Sequence, residues 1–297
     1  HAYSGRLGNL IKRASHDFKA PEPDMEDIDR LVEMIEAAEK PMLICGGGVV
    51  RSRAHKEFLS FAETIDSPVA ITVMGGGGFD GSNKLTTGMI GMHGSQASNM
   101  ACDSCDLLIA IGCRFSDRVA LDPKTFARQA KIVQIDIDRA EINKNVRTDH
   151  HIVGDAKRVL AMLNEMVEPA DHSEWKKFVF SYKTETEYEI GGDRLNPKQI
   201  STAVAKVLPS DTIVATDVGQ HQVWAIQHLH FDYPGQLITS GGFGTMGFGL
   251  GAAIGAQLGT GERSVLITGD GSFGMNLTEL ATAYANNVPM ECPAMTI

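Results

Sequence analysis

Short, continuous apolar runs separated by helix-patterned stretches restrict the fold of this chain more than any other feature. PMLIC, VAITV, DLLIAIG, KIVQIDID, TIVATDVG, QLITSG and SVLITGDG do not alternate apolar with polar residues. Each therefore reads as a strand covered on both faces. Between them lie stretches of helical period. The first follows Asp24, a natural N-cap, and sets Ile28, Leu31, Val32 and Ile35 at i, i+3, i+4 and i+7. Strands alternating with helices predict an α/β chain of two doubly wound parallel-sheet domains. No apolar run reaches the roughly 18 residues that a membrane span needs.

The organisation follows from the punctuation. Residues 1–23 are polar and end in Pro-Glu-Pro, a linker signature. A Glu- and Lys-rich connection, partly helical, occupies 169–196, and a second unit opens at Asn196-Pro197. A length of 297 residues and 43% apolar content suit two domains with sizeable cores. The net charge of −10, with no basic stripe, argues against a nucleic-acid partner. Five Cys, odd in number and scattered, do not form a disulfide framework. Cys102 and Cys105 make a C-x-x-C on a helical stretch without a second pair at zinc spacing, so they read as reduced thiols. No signal peptide is visible, and a reducing cytoplasm is the default location. The chain starts with His1 and stops at Ile297, soon after a helix, which leads us to expect a piece of something longer.

The chemistry concentrates where strands end. Gly269-Asp270-Gly271-Ser272-Phe273 directly follows an apolar strand. Its glycines allow backbone to approach a phosphate, and a following helix start offers free N–H groups. Asp270 stands where a carboxylate could hold Mg²⁺ against a diphosphate. In isolation the same residues could be an ordinary strand-turn-helix with a capping Asp. Equally, Met246 alone could be a gap-filling core residue and His221 a turn residue. Gly46, Gly47 and Gly48 could form a plain tight turn, Asp136 could be a ribose ligand or a solvated loop residue, and Arg114 and Arg118 could be surface charges.

Taken together, the stretches narrow the choice. Asp217-Val218-Gly219-Gln220-His221-Gln222, Gly241-Gly242-Phe243-Gly244-Thr245-Met246-Gly247 and Gly269-Asp270-Gly271-Ser272-Phe273 resemble, in that order, the diphosphate-binding domain of thiamine-diphosphate enzymes. The likeness is strongest to the acetolactate synthase family. Gly91-Met92-His93-Gly94, the run from Gly112 to Val119 and the run from Gln134 to Ile142 resemble that family's FAD-binding middle domain. The resemblance spans about 24–289. It implies a linker over 1–23, a middle domain over 24–168, a linker over 169–196 and a diphosphate-binding domain, incomplete, over 197–297.

The resemblance also assigns roles. Met246 would be an apolar wedge beneath a bent thiamine diphosphate, and the Gly244 carbonyl would accept from its 4′-amino group. Gln220 and His221 would lie by the diphosphate. Asp270 would ligate Mg²⁺, with Gly269, Gly271 and Ser272 around the phosphates. For FAD, a structural rather than redox group in this family, the implied positions are Gly46, Gly47, Gly48, His93, Gly112, Arg114, Arg118, Asp136, Glu141 and Asp155. The implied reaction is decarboxylation of pyruvate and carboligation to a second 2-keto acid in branched-chain amino-acid synthesis. A homo-oligomer, at least a dimer, is implied, and a regulatory small subunit is compatible with the likeness.

Three departures temper the expectation. The family's N-terminal domain, which carries the catalytic Glu, has no counterpart here, so no catalytic side chain is assigned. An Asn pair should follow Gly269-Asp270-Gly271 by about 24 to 27 residues, but those places hold Thr296 and Ile297. Ser116 and Gly251 replace a usual Asp and Pro. The expectation is therefore little or no turnover from this chain alone. Two other readings stay open. One is another thiamine-diphosphate carboligase or decarboxylase; the other is a non-catalytic nucleotide-binding or subunit-association module.

Overall fold

The protein is described from a computed structural model over residues 19–183 and 196–289. In chain order the first unit comprises α1 (Met25–Glu36), β1 (Pro41–Cys45), α2 (Gly47–Arg51), α3 (His55–Thr64), β2 (Val69–Ile71), β3 (Thr86–Met89), α4 (Gln96–Ser104), β4 (Leu107–Ile111), β5 (Lys131–Asp136), β6 (His150–Val153), α5 (Ala156–Met166) and α6 (Ser173–Phe180). The second comprises α7 (Pro197–Val207), β7 (Ile213–Thr216), α8 (Gln220–His228), β8 (Leu237–Thr239), α9 (Phe248–Thr260), β9 (Ser264–Ile267), α10 (Asp270–Met275) and α11 (Leu280–Ala285).

The continuous apolar runs are interior strands of parallel sheets, as their patterning requires. The first sheet has six strands in the order β3-β2-β1-β4-β5-β6 and the second has three in the order β8-β7-β9. All pairings are parallel. In the first sheet the strand order reverses beside β1, between β1 and β4. This is the switch point where open α/β sheets leave a crevice at their carboxyl edge. Every residue of β1 and β4 is buried, because helices cover both faces. On one face Leu43, Ile109 and Ile135 pack with Phe58 and Phe61; on the other Ile44, Leu108 and Ala110 pack with Ala101 and Trp175. Full burial of a side chain such as Phe58 is worth roughly 1.5–3 kcal/mol.

Local chemistry sets the helix starts. The Asp24 side chain accepts from Glu26 N–H at the head of α1, whose Ile28, Leu31, Val32 and Ile35 form the buried stripe. Asp155 caps α5 by accepting from Lys157 and Arg158 N–H. Asn196 and Gln199 close a reciprocal capping box on α7. α6 lies within the polar connection and packs on the first unit. Trp175 Nε1 donates to the Pro41 carbonyl at 2.8 Å, and Val179 is fully buried. The structure also shortens one expected helix. The stretch NLTELATAYANN, residues 276–287, reads in sequence as one helix after the last strand; in its place stand a 3₁₀ turn at Leu277–Glu279 and α11, with the short α10 just before them. The break falls at Asn276 (φ −127°, ψ 28°), whose Nδ2 donates to the Gly247 carbonyl at 2.7 Å. That tertiary bond holds Asn276 outside helical geometry.

The units meet along the Gly-rich segment 73–81. A Cβ on Gly77 (φ +81°) would stand 2.3 Å from the Tyr233 carbonyl oxygen, and one on Gly81 would stand 2.9 Å from His230 Nδ1. Gln227 Nε2 also donates to the His93 carbonyl at 2.8 Å.

Candidate functional site

Because β7, β8 and β9 are parallel and in register at Thr216, Thr239 and Ile267, their carboxyl ends open on one edge. Three turns leave that edge: 217–219 into α8, 240–247 into α9 and 268–269 into α10. Asp217 binds two of them together. Its side chain is fully buried; Oδ1 accepts from Val218 N–H at 3.0 Å and Gly247 N–H at 2.8 Å, and Oδ2 accepts from Gly249 N–H at 3.3 Å. The carboxylate thus satisfies amides at the start of α9, where backbone donors lack helical partners. Gly247 takes φ +85° there, a conformation that a side chain disfavours. Ser272 Oγ donates to the Val218 carbonyl at 2.9 Å and draws the third turn against the first. Gln222 Nε2 donates to Thr239 Oγ1 at 2.6 Å, tying α8 to β8.

This geometry places the expected residues as follows. Gln220 and His221 begin α8, Gly244 and Met246 lie on the middle turn, Gly269 lies on the third, and Asp270, Gly271 and Ser272 open α10. Met246 reaches the third turn: a Cβ on Gly271 would meet Met246 Cε at 3.7 Å. The helical ladder of α10 starts with Phe273 N–H donating to the Gly269 carbonyl at 2.9 Å, so the amides of 270–272 precede it. α10 has only six residues, and its axial dipole is correspondingly small. Asp270 is exposed, whereas Ser272 is buried. His221 is 5% exposed, and its Nε2 has no partner in the structure. Burial pushes the His221 imidazole below its usual range, against the opposing pull of Asp217.

Phe243 is 99% exposed and Met246 42%, so two large apolar side chains stand uncovered on the middle turn. A Cβ on Gly244 would find only Val218 Cγ1, at 3.8 Å. For a divalent cation, Asp270 offers one carboxylate. Among the described residues no cluster of three or more His, Cys, Asp or Glu could hold a metal. A hard cation such as Mg²⁺ can use one carboxylate with waters and phosphate oxygens. The positions expected to hold the Asn pair lie outside the described residues.

The carboxyl edge of the first sheet gathers the second expected set. The turn at Gly46, Gly47 and Gly48 follows β1, while Gly112 and Arg114 follow β4. Asp136 ends β5. Here the glycines meet each other. A Cβ on Gly48 would lie 2.5 Å from Gly112 Cα, and Gly48 N–H donates to the Gly112 carbonyl at 3.0 Å. Close packing of the two turns is their first use. Asp136 is 8% exposed and accepts from Asp138 N–H at 3.0 Å. Burial raises its carboxyl above the usual range, with Glu141 and Asp138 adding to the rise and the Asp138 amide opposing it. Arg114, Arg118 and His93 are exposed. Glu141 pairs with Lys144 at 2.7 Å, and Asp155 is committed to capping α5.

A cavity of about 180 Å³ lies apart from the second-sheet edge, between α4 and the 119–127 loop, with Asn99, Cys102 and Phe126 in its lining. The described thiols are free and buried. Cys105 Sγ donates to the Cys102 carbonyl at 3.3 Å, and burial pushes the Cys102 thiol up to about 12. Neither is prepared for thiolate chemistry. Asp217 is the residue that the strand-end motif contained but its chemistry did not single out. The available signal was an acidic residue at the carboxyl end of an apolar strand.

Comparison with known proteins adds independent information. Residues 28–163 match the family described as thiamine pyrophosphate enzyme, central domain, and 217–292 match thiamine pyrophosphate enzyme, C-terminal TPP binding domain. The chain is 42% identical over 275 residues to a probable acetolactate synthase large subunit from Methanocaldococcus jannaschii, covering 89% of this chain and 46% of that protein. It is 41% identical over 283 residues to the acetolactate synthase large subunit of Parasynechococcus marenigrum, covering 92% and 45%. It is 36% identical over 308 residues to acetolactate synthase isozyme 2 large subunit of Escherichia coli, covering 98% and 56%. The chain thus spans about half the length of the curated relatives it matches.

Proposed function

This chain belongs to the thiamine pyrophosphate enzymes, and from that premise we propose that it forms the middle and diphosphate-binding portion of an acetolactate synthase large subunit. The supporting observation is the convergence of three strand-end turns on one edge, fastened by Asp217 and by the Ser272–Val218 hydrogen bond. In this proposal the amides of Gly271 and Ser272 hold the diphosphate of thiamine diphosphate, and Asp270 supplies a carboxylate to Mg²⁺. Gln220 and His221 flank the same group, and Gly269 lets the backbone approach it. The Gly244 carbonyl accepts from the aminopyrimidine, while Met246 supports the cofactor from below. The bound cofactor supplies a nucleophilic carbon and an electron sink for decarboxylation. The protein orients the cofactor and keeps water from its apolar face.

The first sheet's edge would hold FAD, with Asp136 toward a ribose and Arg114, Arg118 and His93 around the phosphates and ring. Gly46, Gly47, Gly48 and Gly112 permit close approach there; Glu141 and Asp155 would act at its margin. We extend to the complete subunit the decarboxylation of pyruvate and its joining to a second 2-keto acid. Assembly as at least a dimer is part of the same proposal, and so is a small regulatory subunit, which the relatives' name of large subunit supports. So is a cytoplasmic location.

Thermal unfolding of the purified chain, with a flavin absorbance spectrum, tests the proposal. Thiamine diphosphate with Mg²⁺ should raise the midpoint, because a ligand at ten times its dissociation constant stabilises by about 1.4 kcal/mol. Thiamine without phosphate should not. A flavin spectrum with no response to thiamine diphosphate would leave a nucleotide-binding module in place of the enzyme reading.

A further inference from the structure

We infer that Met74 is a positioning residue for the 240–247 turn, and that it transmits the placement of the first sheet's glycine turn to the second sheet's ligand edge. Met74 lies on a 3₁₀ turn, Val73–Gly75, just after β2. On one side it abuts the 46–48 turn: a Cβ on Gly47 would stand 3.0 Å from Met74 Cβ and 3.3 Å from its carbonyl oxygen. On the other side it abuts the 240–247 turn: a Cβ on Gly241 would stand 2.7 Å from Met74 Sδ and 2.7 Å from Val73 Cγ1. One side chain therefore lies between the two glycine turns singled out for ligands.

The rest of the turn needs that support. Beyond Gly241 no Cβ on Gly242 would meet anything within 4 Å, Phe243 is 99% exposed, and Gly244 takes φ +65°. The turn's C-terminal end is fixed by Asp217 through Gly247. Its N-terminal end has two bonds within the turn itself, Gly244 N–H to the Ser240 carbonyl and Thr245 N–H to Ser240 Oγ, and the contact with Met74 and Val73 ties that end to the first unit. Met74 is 37% exposed, so shortening it removes the contact without opening a core cavity. A thioether also adapts to an irregular gap between two backbones. The adjoining residues continue the joint: a Cβ on Gly76 would meet Leu237 Cδ2 at 2.6 Å. The Gly-rich stretch after β2 thus seats the second unit and is not assigned to a ligand. The functional consequence rests on the reading that the 240–247 turn carries thiamine diphosphate.

The test compares the full chain with Met74→Ala and Met74→Leu. Limited chymotrypsin digestion reads the turn directly at Phe243, with the 88% exposed Tyr284 of the same unit as internal reference. Met74→Ala should raise the Phe243-to-Tyr284 cleavage ratio at least about fivefold, beyond the roughly twofold change of an ordinary surface substitution, and Met74→Leu should restore it to within about twofold. Thiamine diphosphate with Mg²⁺ should bind about tenfold more weakly to Met74→Ala and near normally to Met74→Leu, a shift of about 1.4 kcal/mol. An unchanged cleavage ratio in Met74→Ala would overturn the positioning role, as would equal acceleration at both sites. If the parent chain binds no thiamine diphosphate, the functional reading fails, while the cleavage ratio still decides the role of Met74.

Discussion

Replacing Asp217 should damage the second unit more than any other single carboxylate change. The side chain is fully buried and accepts from three backbone N–H groups, two of them in the first turn region of α9. A hydrogen bond to a charged group contributes about 1.5–3 kcal/mol, and a buried donor left unpaired costs a further part of its desolvation. Counting the 2.8 Å bond fully and the 3.0 and 3.3 Å bonds partially, Asp217→Ala should destabilise by about 3–5 kcal/mol. Asp217→Asn keeps one oxygen acceptor in the same shape and should cost about 1–2 kcal/mol. Urea unfolding followed by tryptophan fluorescence provides the assay, because the two tryptophans report separately. Trp175 lies on the first unit and Trp224 on α8. The Trp224 signal should shift to lower urea while the Trp175 signal moves less. An Asp217→Ala stability within about 0.5 kcal/mol of the parent (the usual range for surface changes), or equal losses for Ala and Asn, would mean that the buried carboxylate does not hold these turns together.

Other outcomes follow from the same contacts. His221 and His228 are both held below their usual range by burial, so the unfolded chain binds more protons near and below the ordinary histidine pKa. Their contribution is present above that pKa and is lost as pH falls through it; urea midpoints should drop on acidification, and His221→Gln should flatten part of that drop. Gly249→Ala places a Cβ 2.7 Å from Leu266 Cδ1 and 2.8 Å from Asp217 N, and should cost about 1–3 kcal/mol in the same assay. Gly255→Ala, on the same helix with nothing within 4 Å, should stabilise by about 0.5–1 kcal/mol.

The sheets were legible because burial on both faces writes itself as unbroken apolar sequence. PMLIC and DLLIAIG contain strands with no exposed residue. Strand order was not legible, since nothing local in β1 or β4 states which strand lies beside it. The strand-end turns could be located because glycine runs directly after an apolar strand mark where a strand stops, although the same glycines serve close packing as well as ligand approach. What the sequence hid was tertiary competition for the same residues. Asn276 leaves its helix to bond Gly247, and Asp155 and Glu141, expected near a ligand, are engaged by α5 and Lys144. Gly48 and Gly112 meet one another before they meet anything else. Asp217 was hidden for the same reason: two of its three amide partners lie 30 and 32 residues away.

Isothermal titration of thiamine diphosphate into the purified chain, with and without Mg²⁺, decides whether the three turns make one diphosphate site. The expected result is saturable one-to-one binding that needs Mg²⁺, is competed by inorganic pyrophosphate and is lost in Asp270→Asn. Binding that persists unchanged in Asp270→Asn, or no heat of binding at all in the parent chain, would contradict it.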